Sequence, residues 1–173
     1  NWGDWQGESV SIVDLETNEV IRTIRLRRMS PEAGCYNPKV DKYYCSGTDK
    51  EVVAIDGAGD TIVGRIALTN YPLSAVAVDP HALVIVGGTF GGADSVYVID
   101  ATGDSLVSTF GGVSDPYAMV WSEATDQVYC ASRHWDQVAV IAGDGSRLRK
   151  VLPVGDAPFS FALAPRYRRL YVG

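Results

Sequence analysis

Residues Ser95–Arg133 read SVYVIDATGDSLVSTFGGVSDPYAMVWSEATDQVYCASR. Ser95–Asp100 alternates and is rich in Val, Ile and Tyr, as a half-buried strand is. Ala101-Thr102-Gly103 turns the chain, Gly103 being the expected positive-φ residue, as are Asn18, Gly59 and Gly145 at the same place in the other repeats. Ser105–Phe110 is a second strand, Gly111–Pro116 a loop, and Tyr117–Trp121 a third, mostly apolar strand. Glu123–Gln127 turns the chain again, and Val128–Ala131 is a fourth strand. Four short antiparallel strands in about forty residues match one blade of a β-propeller.

The rest of the chain repeats this stretch. The V-x-I-D strand ends at Asp14, Asp56, Asp100 and Ala142, at intervals of 42, 44 and 42 residues. A loop proline recurs at Pro31, Pro72, Pro116 and Pro158, and a last strand centres on Tyr44, Ile85, Tyr129 and Tyr171. Three markers keep one period, so the chain holds four repeats. One four-stranded sheet cannot bury both its faces, and stacking against neighbours does so.

The pattern V-x-V-I-D, a polar turn, a second strand, G-x-x-P, a buried strand and x-Y-V/C resembles the YVTN-type propeller repeat, from about Ser9 to Gly173. Such repeats are similar in shape to WD-repeat blades without the Gly-His and Trp-Asp signatures. The resemblance implies an all-β propeller of about four four-stranded blades. The ring is four-bladed, or half of or a fragment from a larger seven- or eight-bladed one. Residues 1–173 form a single propeller on this reading. No window has the three-and-four spacing of an amphipathic helix.

The two ends fall at matching phases. From Ala142 across a notional join to Asp14 is 45 residues, close to the other intervals. Each end thus supplies half a blade, and Leu170–Gly173 is expected to pair with Ser9–Asp14. The pairing is within the chain, with another copy, or with missing blades of a longer parent, and the last two are preferred. Asn1-Trp2-Gly3 is neither a signal peptide nor an initiator Met, so the chain reads as processed or excised.

The net charge of −6 argues against non-specific nucleic-acid binding, which needs a basic surface. The cluster Arg22, Arg25, Arg27, Arg28 reads as the solvated face of an outer strand. No apolar run is long enough for a membrane helix. Cys45 and Cys130 share one repeat position with Val86 and Val172, and read as buried small hydrophobes. A Cys35–Cys45 bridge stays open, although the register looks offset.

Catalytic groups are thin. His81 and His134 fall on opposite rims, each a lone loop histidine expected in solvent, and no G-x-S-x-G or H-E-x-x-H occurs. Asp56-Gly-Ala-Gly-Asp60 has calcium-loop flavour but lacks the later Glu and coincides with a hairpin turn. Gly87–Gly92 is glycine-rich but precedes a strand, whereas a phosphate cradle needs a helix N-terminus. No catalytic residue, metal site or cofactor is assigned.

The family places the strand after the loop proline nearest the axis. One rim then carries Trp2, Trp5, Asp49, Lys50, Tyr71, Phe90, Tyr117, Arg133, His134, Trp135 and Phe159. Exposed aromatics mark interfaces or glycan platforms; alternatively, they lid the seams between blades. The expected function is a non-catalytic binding or structural module of a secreted or cell-surface protein, extracellular or periplasmic, with protein or glycan partners. The competing function is a propeller-type enzyme or enzyme subunit, lactonase-like or quinoprotein-like. That would need acids, histidines or arginines converging on the axis, where Ala, Val, Met, Phe and Cys stand instead.

Overall fold

The structure, a computed structural model, describes residues 7–88 and 94–173. Sixteen strands follow one another among them, interrupted only by 3-10 turns at Asp79–His81, Arg133–Trp135 and Pro165–Tyr167. Strands β1 (Ser9–Val13) and β2 (Val20–Arg25) form a hairpin. The first complete sheet is β3 (Pro31–Asn37), β4 (Lys42–Gly47), β5 (Glu51–Asp56) and β6 (Thr61–Ala67), in that spatial order. The second is β7 (Pro72–Val78), β8 (Leu83–Gly88), β9 (Ser95–Asp100) and β10 (Ser105–Phe110). The third is β11 (Pro116–Ser122), β12 (Gln127–Ser132), β13 (Gln137–Ala142) and β14 (Leu148–Pro153). A last hairpin joins β15 (Phe161–Ala164) to β16 (Arg169–Val172).

All pairings are antiparallel and sequential, so the architecture is a β-propeller of four repeats: three complete blades and, at either side, half a blade. Strands β3, β7 and β11 pack on one another, with β15 beside β11, which makes them the inner strands. The opening stretch therefore does not form one sheet. Its first hairpin, β9–β10, is the outer half of the second blade, and its second, β11–β12, is the inner half of the third.

The cores are the seams between blades. Tyr44, Val52, Ala54, Ile66 and Leu68 of the first blade meet Val84, Val86, Tyr97 and Ile99 of the second. Val78, Ile85 and Val96 of the second meet Val128, Cys130, Ala139 and Ile141 of the third. Val10, Ile12, Ile24 and Leu26 of the β1–β2 hairpin close over Cys45, Val53 and Ile55. Cys45 and Cys130 are buried, and all three thiols are free. Cys35 stands opposite Tyr44 while Cys45 stands opposite Gly34, the offset that keeps the two sulfurs apart.

The repeated V-x-I-D has a local cause. The Asp that ends the strand turns back onto the hairpin loop. Asp14 Oδ1 accepts from the Glu16 and Thr17 amides at 2.8 Å each. Asp56 accepts from Gly59 N at 2.6 Å, and Asp100 from Thr102 N at 2.9 Å. Asx turns of this kind fix a loop cheaply. Here one expectation is corrected. The left-handed residue is the last of the loop, Asn18, Asp60 and Asp104, and not Gly59 or Gly103. A bond from the last loop amide to the strand-end carbonyl, as from Asp60 to Asp56 at 3.0 Å, sets that geometry, and Asn and Asp tolerate it. The fourth hairpin has Ala142 in place of the Asp. Asp144 takes over, accepting from Ser146 N, and the left-handed position moves back one residue to Gly145, as expected for that glycine.

Arg22 and Arg25 lie exposed on β2, with Arg22 Nη1 donating to the Gly59 carbonyl across a seam at 3.2 Å. The string Asp56–Asp60 is the β5–β6 turn. Strand β16 and strand β1 belong to separate sheets, so the expected pairing of Leu170–Gly173 with Ser9–Asp14 does not form within the chain.

Candidate functional site at the proline rim

The register brings the rim together. Pro31, Pro72 and Pro116 each open an inner strand opposite the last residue of the strand that follows: Gly47, Gly88 and Ser132. Proline cannot donate to a ladder, and each is followed by a bulge, so the chain enters every inner strand with the same kink. Residues just before or after the proline thus lie beside the turn from the second strand to the third.

At the third blade this juxtaposition builds a cluster. The rings of Tyr117 and Phe159 lie 4.7 Å apart, tilted 35°. The Arg133 guanidinium stands 5.2 Å from the Tyr117 centroid and 5.5 Å from that of Phe159. Both distances suit a cation–π contact. His134 Nδ1 lies 2.6 Å from Asp115 Oδ2, and the same carboxylate accepts from the His134 amide at 3.3 Å. Asp115 takes a left-handed φ of 45° immediately before Pro116. Trp135, on the same 3-10 turn, is 60% exposed, and Phe159 is 50% exposed.

Tyr71 sits apart, one seam away, with the Lys50 ammonium 5.3 Å from its ring centroid. Lys50 follows β4 of the first blade and Tyr71 precedes β7 of the second. Likewise Arg133 reaches from the third blade to Phe159 beside β15. Lys50 over Tyr71 and Arg133 over Phe159 are thus contacts between neighbouring blades. Trp2, Trp5 and Phe90 lie outside the described residues. Asp115 was not singled out from the sequence. The signal for it was the Asp-Pro pair at an inner-strand start, which reads as an ordinary turn until His134 is folded against it.

His81 lies at the other end of the strands. Its Nε2 is 2.9 Å from Asp126 Oδ2 in the β11–β12 turn, so each histidine has a carboxylate partner, while His134 stays exposed to solvent as expected. The two imidazoles flank opposite ends of β12 and cannot share a substrate. On the same side as His81, Lys42 Nζ contacts Asp104 at 2.7 Å and Tyr44 donates to that carboxylate at 2.7 Å and to the Ala101 carbonyl at 3.0 Å. This polar knot pins the first blade to the second.

No family model matches the chain, and no curated protein matches it. Solved structures do. Hydrazine synthase of Kuenenia stuttgartiensis is similar at a TM-score of 0.74 and 18% identity over 82% of this chain. A structure of the mitotic checkpoint complex is similar at a TM-score of 0.72 and 13% identity over 97% of it. The chain spans 41% and 66% of those chains. At such identities the likeness is one of fold, and the fold is the β-propeller.

Proposed function

We propose that the chain is a non-catalytic binding and structural propeller module, of YVTN type, from a secreted or cell-surface protein. The observation that carries this reading is the Tyr117–Phe159–Arg133 cluster, two tilted rings under a guanidinium with Trp135 exposed beside them. Such a surface offers flat apolar area, a fixed positive charge and an N–H donor. Aromatic and Arg residues of this kind dominate the energetics of interfaces. A protein partner is favoured over a glycan, and the likeness to a propeller found in an assembly, the mitotic checkpoint complex, supports that choice. A glycan would stack on Trp135 and Phe159. Hydrazine synthase shares the fold at 18% identity and lends this chain no chemistry.

The test compares the wild-type protein with a Phe159→Ala, Arg133→Ala double variant of unchanged circular dichroism. Both are put through a glycan array and cross-linking capture on cell-surface proteins. Binding in one arm that the double variant loses supports the rim reading. Equal binding by the double variant overturns it.

A further inference from the structure

The rim cluster holds one charge that the protein itself does not answer. Arg133 is half-buried, its guanidinium 5.2 Å from the Tyr117 centroid and 5.5 Å from that of Phe159. Ring faces attract the charge but do not satisfy five N–H donors. Among the described residues, no carboxylate and no carbonyl accepts from that guanidinium. Lys42 and Arg65 differ: the first lies 2.7 Å from Asp104, and the second meets Glu51 and the Leu26 carbonyl.

The acids next to Arg133 are already committed. Asp115 Oδ2 lies 2.6 Å from His134 Nδ1 and accepts from the His134 amide, which ties the loop before β11 to the Arg133–Trp135 turn. Asp136 Oδ1 accepts from Ala157 N at 2.8 Å, which ties the loop before β15 to the same turn. Two loops are thus clamped around one guanidinium. With the side chain already seated on two rings, closing on an anion costs little further freedom.

The surroundings select the anion. A phosphate dianion would stand in the field of Asp115 and Asp136 on a chain of net charge −6. A neutral sugar hydroxyl would leave the charge unanswered. One carboxylate balances one guanidinium and fits its fork in a bidentate pair. Beside the fork, Trp135 is 60% exposed and Phe159 50% exposed, so a residue adjoining the acid meets aromatic surface.

We infer that the rim takes an acidic peptide segment of a partner protein. An Asp or Glu carboxylate of the partner closes on Arg133, and an apolar neighbour packs on Trp135 and Phe159. The inference rests on the rim reading above and names its ligand.

The experiment pans a phage-displayed library of random peptides, each about twelve residues long, on the wild-type protein and on Phe159→Ala and Arg133→Gln variants of unchanged circular dichroism. Peptides that wild type keeps and Phe159→Ala loses are rim binders. They are expected to carry an acid beside an aromatic or aliphatic residue. As synthetic peptides they are expected to bind Arg133→Gln about tenfold more weakly. Replacing the peptide's acid by its amide should cost the same tenfold in wild type and nothing further in Arg133→Gln, as a direct pair requires. Rim binders without an acid, or with equal affinity for Arg133→Gln, overturn the inference and leave the rim reading standing. A gain in affinity when phosphoserine replaces the acid overturns the choice of carboxylate. A rim that binds glycans and selects no peptide also overturns the inference alone. A rim that selects neither overturns both.

Discussion

At the residue scale, the hairpin loops show what side-chain chemistry adds to pattern. Gly103 stands out in the sequence, but the left-handed residue is Asp104, the last loop position, as Asn18 and Asp60 are in theirs. A Cβ at Gly103 would meet nothing closer than Asp100 Oδ2 at 3.5 Å. Gly103→Ala is therefore expected to change stability by no more than about 0.5 kcal/mol, whereas Asp60→Val, a branched residue at φ 51°, should lose about 1–2 kcal/mol in urea unfolding. A reversed order would place the strain elsewhere. The thiols make a second residue-scale case. Burial pushes Cys35 up to about 12 and Cys45 to about 11 from an ordinary 9.0, and raises Cys130 as well. An unfolded thiol sheds its proton near pH 9 while the folded one keeps it, so the unfolded state binds fewer protons above that pH. Stability contributed by keeping these thiols neutral is complete below pH 9 and drains as pH climbs toward 12, by up to about 1.4 kcal/mol per pH unit for each thiol. Urea midpoints level to pH 9 and falling beyond it are expected. A Cys45→Ala variant with an undiminished alkaline fall would remove Cys45 from the account.

At the scale of elements, strand positions were legible and the partition into sheets was not. Alternation and turn residues mark β9 to β12 closely, since each hairpin is a local event. Which hairpins share a sheet is decided by the β8–β9 ladder across residues 89–94, and the link across residues 111–115 is nearly as long, so spacing does not distinguish them. The opening stretch reads as one blade, whereas each blade straddles two repeats; the half-blade at each side was legible from the matching phases of the two ends. The rim was legible as a set of aromatics beside prolines. Lys50 and Arg133 were placed on that rim, but their seats over Tyr71 and Phe159 cross a seam between blades, and Asp115 reads as an ordinary turn residue until His134 folds against it. Two substitutions test these seams. Tyr44→Phe removes one donor from the Ala101 carbonyl and the Asp104 carboxylate, both of which keep Lys42 Nζ, and should cost about 0.5–1.5 kcal/mol. Gly47→Ala would drive a Cβ into the Ser30 carbonyl oxygen, where the first strand enters its blade. A clash with backbone cannot be relieved by a rotamer change, so a loss of about 2 kcal/mol or more is expected in thermal unfolding. A Gly47→Ala protein as stable as wild type would show that the β3 entry is set differently.

At the scale of the whole molecule, the repeats share one sequence period but not one environment. The middle strands β4, β5, β8 and β9 are paired on both edges and covered on both faces, while β12 and β13 are paired on both edges and covered on the face toward the second blade. The strands β6, β10 and β14 each have one partner on the outside of a blade. The strands β1 and β16 also have one partner each, yet their repeat phase is that of middle strands. Edge strands with apolar side chains are where sheets recruit more strand. Amide exchange in dilute protein should therefore be slowest at Val53, Ile85, Val98 and Ala139 and fast at Tyr171 and Ile12, since local opening is easiest where neighbours are fewest. The outer strands β6, β10 and β14 should exchange at a rate that does not depend on protein concentration. The strands β1 and β16, with one partner each, should exchange faster than β5 and β12. Rates in β1 and β16 already matching those of β5 and β12 in dilute protein would mean that the two half-blades find each other within one chain, since a strand gains that protection only from a second partner.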